Sequence, residues 1–359
     1  MTPTQQPAAE PAPAVIAGSG RTRDAFFDNA KFLAIVLVVV GHVWEPLIED
    51  SRALKAAYMF VYAFHMPAFI IISGYFSRNF DWSAGRLRRL VTGVVVPYVV
   101  FETLYSLFKR YAGGDADQPI SLLDPWFLTW FLIALFIWRL MVPLWKLVPW
   151  PVPVSLAIAV FSLAAQIGPD LSLSRVLQLM PFFVIGMNLR PGHFALVRRR
   201  AVRIAAAPLA VVAAGAVYWA EPHVKAKWLY HRMSADQLGV SFGESVLITL
   251  GTVGAALVLT VLFFALVPGR RTWFTSMGET TLYVFLLHGF FIKGAIFAGF
   301  YDTGFAHSHR GFVVMGLLAV AMATVLATPP VRLVFRALVE PRMDWAFKRR
   351  PGPTSTVLR

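Results

Sequence analysis

The sequence predicts an all-α integral membrane protein, a bundle of about ten transmembrane helices. Of its 359 residues, 57% are hydrophobic and only 14% are charged, and the mean hydropathy is +0.63. A soluble domain carries about 25% charged residues, so most of this chain must be solvated by something other than water. Several apolar runs approach the roughly 20 residues that cross a bilayer core. We predict helices because backbone groups in lipid must be bonded internally and the alternating pattern of a membrane barrel is absent.

Ten spans are predicted from the ends of the apolar runs. They are Phe32–Leu47, Tyr58–Phe76, Leu90–Phe108, Trp126–Trp145, Val152–Ile167, Val176–Leu189, Ile204–Ala220, Ser245–Val267, Thr281–Ala298 and Phe312–Phe335. Residues 23–342 therefore form the membrane domain. Residues 1–22 are rich in Pro and Ala and lack the basic start of a signal peptide, so we expect a disordered cytoplasmic tail. Residues 343–359 are expected to form a basic cytoplasmic tail.

The basic residues predict that both termini lie in the cytoplasm, because positive charge is retained on the inner side of a membrane. With ten spans and an inner N-terminus, 23 of the 33 lysines and arginines fall inside. We interpret the net charge of +14 as serving to orient the chain in the cell membrane and to contact the lipid bilayer. No basic soluble domain or recognition motif supports nucleic-acid binding. The absence of cysteine excludes disulfides, thiolate metal sites and an acyl-cysteine intermediate; no metal is expected, and oligomer formation is left open.

The first predicted span carries a lysine at its inner edge and a histidine eleven residues later, Lys31 and His42. At the rise of a helix the histidine lies about 16 Å deeper, near the expected middle of the membrane. An imidazole there can take or give a proton at neutral pH. For one such histidine, a hydrogen-bonded role in packing two helices is an equally good interpretation.

Two more histidines and a carboxylate fall inside other spans. His288 lies roughly 15 Å into the ninth span and His65 roughly 10 Å into the second, by helical rise. Glu102 falls near the middle of the third span. Ionisable residues inside spans are costly, so together these residues predict a polar cavity with a function. Glu102 can orient a histidine or pair with Arg139, and the sequence favours neither role.

The second span and the following segment carry two further patterns. Pro67 should kink the second helix, and Ser73-Gly74 permits a close approach of backbones, with packing the favoured role for the glycine. Ser73 is a candidate nucleophile, although a helical serine more often bonds its own backbone. Arg86 and Arg89 lie on a basic inner loop. They can fix topology, bind phosphate, for which the guanidinium fork is suited, or do both, and topology alone would account for them.

In this order, the motifs resemble those of the type-3 acyltransferase family of multi-spanning membrane proteins, especially its fucose 4-O-acetylase-like branch. The matching residues are Asp28-Asn29, Lys31 with His42, Met66-Pro67 with Ser73-Gly74, Arg86 with Arg89, Pro97-Tyr98, Trp126-Phe127-Leu128 at the start of the fourth span, Pro181-Phe182-Phe183 with Gly186, Tyr283 with Leu287-His288, and Glu340-Pro341. The resemblance covers about residues 23 to 342. Met66 departs from the common phenylalanine. We expect acceptor recognition within the membrane part or the short loops, because the extracytoplasmic domain of some relatives is missing.

The resemblance implies a membrane O-acyltransferase that moves an acyl group, usually acetyl, from cytoplasmic acyl-CoA to a hydroxyl of a sugar or glycosylated acceptor. The expected site residues are His42, His288 and Asp28 for catalysis, Lys31, Arg86 and Arg89 for acetyl-CoA, and Ser73, Glu102, His65 and Trp126 as further candidates. In this scheme His42 is the general base, and Asp28 orients Lys31 or the acceptor. A neutral His288 can donate a hydrogen bond to the oxyanion. A covalent route through His42 or Ser73 stays open.

Two other functions are compatible with the sequence. A proton-coupled transporter or flippase of a lipid- or sugar-linked substrate would use the histidines and Glu102 as a proton relay. The missing internal repeat and the motif series argue against it. A non-catalytic scaffold gains nothing from costly polar residues at depth. Within the enzyme class, succinyl-CoA or a longer acyl-CoA is the alternative donor.

Overall fold

A computed structural model describes residues 24–347, and all regular structure in that range is helical. The α-helices are α1 (Ala25–Trp44), α2 (Arg52–Ser77), α3 (Ala84–Leu90), α4 (Val96–Ala112), α5 (Trp130–Leu140), α6 (Val142–Trp145), α7 (Pro151–Phe161), α8 (Leu173–Asn188), α9 (Pro191–Val197), α10 (Arg200–Ala220), α11 (Ala235–Leu238), α12 (Phe242–Leu266), α13 (Thr281–Phe297), α14 (His309–Leu326) and α15 (Pro329–Val339). The tail predicted over residues 1–22 lies outside the described residues, as do residues 348–359 of the C-terminal tail.

Within the described range, seven helical segments are long and apolar enough to cross a membrane. They are Ala25–Leu47, Arg52–Ser77, Ala84–Ala112, Asp170–Asn188, Arg200–His223, Phe242–Leu266 and His309–Leu326. The three other predicted spans coincide with shorter apolar helices, namely α5, Pro151–Ala164 and α13. The predicted all-helical membrane class is therefore confirmed. The number of ten spans and the cytoplasmic position of both termini stay predictions.

Helix ends differ from the prediction in two places near the start of the chain. The first helix begins at Ala25, because the Asp24 side chain caps it by accepting a hydrogen bond from the Phe26 amide at 3.0 Å. The predicted inner loop around Arg86 is wrong, since those residues form α3. That helix continues through a π-helical turn, Val91–Val95, into α4.

Helix ends also differ in the fourth and the last predicted spans. Residues 126–129 form a turn before α5 rather than its first turn. The continuous span predicted over residues 312–335 is wrong, because α14 ends at Leu326 and α15 begins at Pro329. Pro329 and Pro330 lack the backbone donors that a continuing helix needs, so they begin a new helix instead.

Helices α2 and α8 touch backbone to backbone at two glycines. A Cβ atom added to Gly74 would lie 2.2 Å from the carbonyl oxygen of Phe183, and one added to Gly186 would lie 2.2 Å from that of Ile71. Only glycine fits at either position, as in close helix contacts within membranes. The packing role predicted for Gly74 is confirmed.

Helices α1 and α2 run antiparallel. The ring of Phe27, near the start of α1, lies 5.0 Å from the rings of Tyr75 and Phe76, near the end of α2. We name the two ends of the bundle after α1, as the Lys31 end and the His42 end. In the predicted orientation, the Lys31 end faces the cytoplasm.

Candidate active site

His42 lies in the last turn of α1, two residues before the helix ends at Trp44. The sequence placed it near the middle of a span because the helix was expected to begin at Phe32. The cap at Asp24 extends the helix backward by two turns and α1 ends at Trp44, so His42 lies near one end of the helix; its depth in the membrane stays a prediction. The His42 side chain is 18% exposed and faces a cavity of about 300 Å³.

Glu45 pairs with His42 across one turn of the chain. Its Oε2 atom lies 3.1 Å from Nδ1 of His42. A carboxylate at this nitrogen accepts a hydrogen bond from Nδ1–H, fixes the tautomer and leaves Nε2 with a lone pair, as in a catalytic triad. Glu45 was not among the site residues predicted from the sequence. The signal was available, because residues three apart share one face of a helix.

His65 and His288 lie around His42 in different ways. His65 lines the same cavity, and its Nδ1 lies 2.9 Å from the carbonyl oxygen of Val61. His288 is fully buried, with its ring centroid 5.6 Å from that of His42 and its Nδ1 2.8 Å from the carbonyl oxygen of Val284. The structure therefore brings together the three histidines that the sequence singled out.

The free nitrogen of His288 is an acceptor. Its Nδ1 must carry the proton to bond a carbonyl oxygen, so Nε2 of the neutral ring holds a lone pair. That Nε2 atom is buried and has no hydrogen-bond partner among the described residues. In this tautomer the neutral ring has no proton to donate to an oxyanion. His288 can instead accept a hydrogen bond or a proton from a neighbouring group.

Glu102 supports the turn that carries Trp126, which lines the cavity beside His42. Its Oε2 atom accepts hydrogen bonds from the Trp126 amide, at 3.0 Å, and from the Thr129 hydroxyl. Glu102 therefore neither orients a histidine nor pairs with Arg139, the two roles that the sequence left open. Arg139 instead donates from Nε to Oγ of Ser77 at 3.1 Å.

Phe127 holds a strained backbone conformation beside His42. Its φ is 57°, in the left-handed region that bulky residues rarely adopt. Its ring centroid lies 4.9 Å from that of His42, and Nζ of Lys293 lies 4.4 Å from the same ring. Such strain costs about 1–3 kcal/mol and persists where the surroundings fix it, typically at functional sites. The sequence motif includes Phe127, but nothing in it reveals this backbone angle.

A second cavity, of about 370 Å³, lies at the Lys31 end. Three arginines line it, Arg86, Arg89 and Arg139. Arg86 pairs with Asp81 at 3.1 Å, and hydrogen bonds from Ser83 together with the Arg86 charge hold the pKa of Asp81 below its ordinary value. Several guanidinium groups around one space suit the binding of phosphate groups.

Arg88 lies on the same helix but does not line this cavity. Its guanidinium pairs with the carboxylate of Asp344 and lies over the ring of Phe347, 4.8 Å from the centroid. The beginning of the predicted C-terminal tail is thus held against α3. Arg88 therefore serves as a matched control for its neighbours.

Asp28 and Lys31 lie apart from His42. Nζ of Lys31 pairs with Oδ1 of Asp28 at 2.8 Å, so the structure places Asp28 where it can orient Lys31. Asp28 precedes His42 by fourteen residues, or about 21 Å along the helix. The two side chains therefore do not meet at one substrate atom. Lys31 is not part of the lining of the arginine cavity.

The remaining candidate, Ser73, lines neither cavity. It is half-buried on α2, eight residues from His65 and next to the glycine contact with α8. Asn29, which the motif includes, is structural: its Nδ2 atom donates to the carbonyl oxygens of Pro268 and Arg270 at 2.8 and 2.9 Å. Within residues 24–347, no three His, Asp or Glu side chains converge as a metal site.

The described residues form a helical membrane bundle with a histidine–carboxylate pair beside a cavity at one end and three arginines around a cavity at the other. This arrangement is suited to general-base chemistry in a multi-pass membrane protein. The model of an acyltransferase domain, that of the acyltransferase 3 family, matches residues 24–330. The chain therefore belongs to this family, as the resemblance predicted.

Two curated proteins are similar to parts of the chain. The Nodulation protein NolL of Mesorhizobium japonicum is 28% identical over 180 residues, which are 46% of this chain and 47% of that protein. The Nodulation protein NolL of Sinorhizobium fredii is 30% identical over 129 residues, 32% of this chain and 35% of that protein. The chain thus spans less than half the length of each of these relatives. No solved structure matches the chain.

Proposed function

We propose that the protein is a membrane O-acyltransferase that moves an acyl group, acetyl first among those to be tested, from acyl-CoA to a hydroxyl of a sugar or glycosylated acceptor. The observation that carries the proposal is the His42–Glu45 pair, 3.1 Å apart beside a cavity, in a chain of the acyltransferase 3 family. A sugar hydroxyl is too weakly acidic to attack a thioester well without a base. We place the protein in the cell membrane with both termini cytoplasmic.

His42 acts as general base in this mechanism. Its Nε2 takes the proton of the acceptor hydroxyl while the hydroxyl oxygen bonds to the thioester carbonyl carbon. Glu45 holds the Nδ1 proton and stabilises the imidazolium that forms. The carbon–sulfur bond then breaks, the CoA thiolate leaves, and the imidazolium returns the proton to the sulfur. The ester and free CoA are the products.

The donor binds at the Lys31 end. Arg86, Arg89 and Arg139 provide the cationic groups for the CoA phosphates. Helix α2 passes both cavities, because His65 lines one and Ser77 the other. These two residues are twelve positions apart, or roughly 18 Å along the axis. An extended pantetheine arm beside α2 carries the thioester from the phosphate site toward His42.

The experiment is equilibrium binding of acetyl-CoA to detergent-purified protein. We compare the wild type with the double variant Arg86→Ala/Arg89→Ala and with Arg88→Ala. We expect saturable binding that the double variant weakens by at least about tenfold, since charge-assisted bonds to phosphate are lost. Arg88→Ala should bind as the wild type does, because its side chain faces Asp344.

The outcome that contradicts the proposal is equally specific. Protein that elutes as a folded species but binds none of acetyl-CoA, succinyl-CoA and longer acyl-CoA would remove the donor site. Transport without acyl transfer would then become the leading function.

A further inference from the structure

A third cavity, of about 440 Å³, adjoins the one beside His42. The two share three lining residues, Pro125, Arg175 and Arg232. We call the combined space the vestibule. It lies at the His42 end, opposite the arginine cavity that we assign to the donor. A second substrate can therefore approach His42 through it without passing the donor site.

Arg175 is the central basic residue of the vestibule. It lies in the first turn of α8, half-buried, with its guanidinium carbon 4.8 Å from the centroid of the Trp130 ring. Stacking on an aromatic face orients the guanidinium plane and leaves its edge donors for other partners. No carboxylate within the described residues forms an ion pair with Arg175. Glu45, which lines the same cavity, interacts electrostatically with Arg175 but forms its ion pair with His42, so the guanidinium keeps its edge donors for another anionic group.

Arg232 presents a second guanidinium to the same space. It belongs to the connection between α10 and α12, and its side chain lies 5.5 Å from the Tyr230 ring centroid. The backbone there is anchored, because Nε2 of Gln178 donates to the carbonyl oxygen of Met233 at 3.1 Å. Arg232 likewise forms no ion pair within residues 24–347. The two arginines are thus held on separate elements that meet at the vestibule.

Neither acidic residue of the vestibule forms an ion pair with these arginines within residues 24–347. Glu45 pairs with His42, and Asp124 is exposed at the lining without an ion pair to either arginine among the described residues. The space between Arg175 and Arg232 therefore favours an anionic group. A planar, two-oxygen group such as carboxylate or phosphate matches the guanidinium fork.

We propose that the acceptor carries a carboxylate or phosphate group, which Arg175 and Arg232 bind in the vestibule while an acceptor hydroxyl reaches His42. This inference rests on the proposed acyltransferase function and specifies its acceptor as an anionic sugar. The aromatic rings of Tyr62 and Trp130 in the same lining suit the apolar face of a sugar ring. A neutral sugar would give neither guanidinium group an anionic partner.

The test is direct binding without acyl-CoA. Purified protein is titrated with glucuronate, with glucose 1-phosphate and with glucose as the neutral match. We expect saturable binding of at least one anionic sugar and at least about tenfold weaker binding of glucose. Which of glucuronate and glucose 1-phosphate binds more tightly shows whether the site recognises carboxylate or phosphate. Arg175→Gln and Arg232→Gln should each weaken binding of the anionic sugar by a similar factor. Arg310→Gln, an exposed arginine outside the vestibule, should change nothing.

The outcomes separate this inference from the proposed function. Protein that binds acetyl-CoA but neither anionic sugar overturns the inference and leaves the acyltransferase proposal standing. Protein that binds an anionic sugar through Arg175 but no acyl-CoA supports the vestibule and removes the acyltransferase proposal. Loss of acetyl-CoA binding in Arg175→Gln, with binding retained by Arg86→Ala/Arg89→Ala, would assign the vestibule to the donor and overturn the inference.

Discussion

Oε2 of Glu45 lies 3.1 Å from Nδ1 of His42, so a carboxylate and an imidazole separated by one helical turn form a pair beside a cavity. His42→Ala removes the base and should lower acyl transfer by about 10²- to 10⁴-fold, to background in a standard assay. Initial rates with acetyl-CoA and an accepted sugar measure it. Membrane insertion and elution as a folded species should match the wild type. Retained turnover would exclude His42 as the base.

Glu45→Gln tests the orienting carboxylate. The amide cannot stabilise an imidazolium as a carboxylate does, so kcat should fall by about tenfold or more while acetyl-CoA binding is unchanged. Glu49→Gln is the matched control, because Glu49 pairs with Lys55 at 3.0 Å instead. Equal rates for the two variants would show that the Glu45 carboxylate takes no part in acyl transfer.

Phe127→Gly tests the strained turn. Glycine adopts a φ of 57° without strain, so the fold should be retained or slightly stabilised. The variant loses the ring against His42 and Lys293, so acyl transfer should fall by about tenfold or more through lost positioning. Rates and thermal unfolding are measured together. Unchanged rates would assign the strain to folding alone.

Gly74→Ala tests the contact between α2 and α8. The added methyl group would overlap the Phe183 carbonyl oxygen at 2.2 Å, so the helices must separate, at a cost of at least about 1–3 kcal/mol. Thermal unfolding in detergent measures the loss. Gly254→Ala on α12 is the control, because no atom lies within 4 Å of its added Cβ. Equal midpoints for the two variants would contradict the contact.

His231 makes stability depend on pH. It belongs to the connection between α10 and α12, and its imidazole is buried with its ring centroid 6.2 Å from that of Phe182. Burial lowers the pKa of His231 from 6.5 to about 4 because the charged ring loses solvation. Between these values the unfolded chain binds more protons than the folded one. The contribution of His231 to the free energy of unfolding is therefore fully present above pH 6.5. It is lost as the pH falls toward 4, and the loss is about 3 kcal/mol at most.

His231→Asn provides the comparison. Asparagine tolerates the left-handed backbone of this residue, where φ is 48°, and does not titrate. Unfolding midpoints recorded from pH 7 to pH 4 should fall less steeply for the variant. Parallel curves would mean that His231 is not the group responsible.

The helices could be predicted because the length of an apolar run is a property of the sequence itself. The ends of the helices were harder to predict. Asp24 extends α1 through one side-chain hydrogen bond, and the two prolines after Thr328 divide an apolar run that hydropathy alone joins. Both effects are local, and Asp24 and the proline pair are their visible signals.

The site was predicted in part. His42, His65 and His288 were found because ionisable groups in lipid are costly, and Arg86 with Arg89 because they match a family motif. Arg175 and Phe127 were missed as site residues. Arg175 is important because no described carboxylate forms an ion pair with it. Phe127 is important because of its backbone angle. Both are tertiary properties that spacing does not encode.

The segment Ala84–Ala112 is one helical rod, joined at the π-helical turn Val91–Val95. It carries Arg89 near its beginning and Glu102 thirteen residues later, roughly 20 Å along the axis. Arg89, which we propose binds the coenzyme, and Glu102, which holds the aromatic turn beside His42, therefore lie on the same helical segment. A rigid-body movement of this segment would displace both residues together and so would couple the proposed donor site to the His42 cavity.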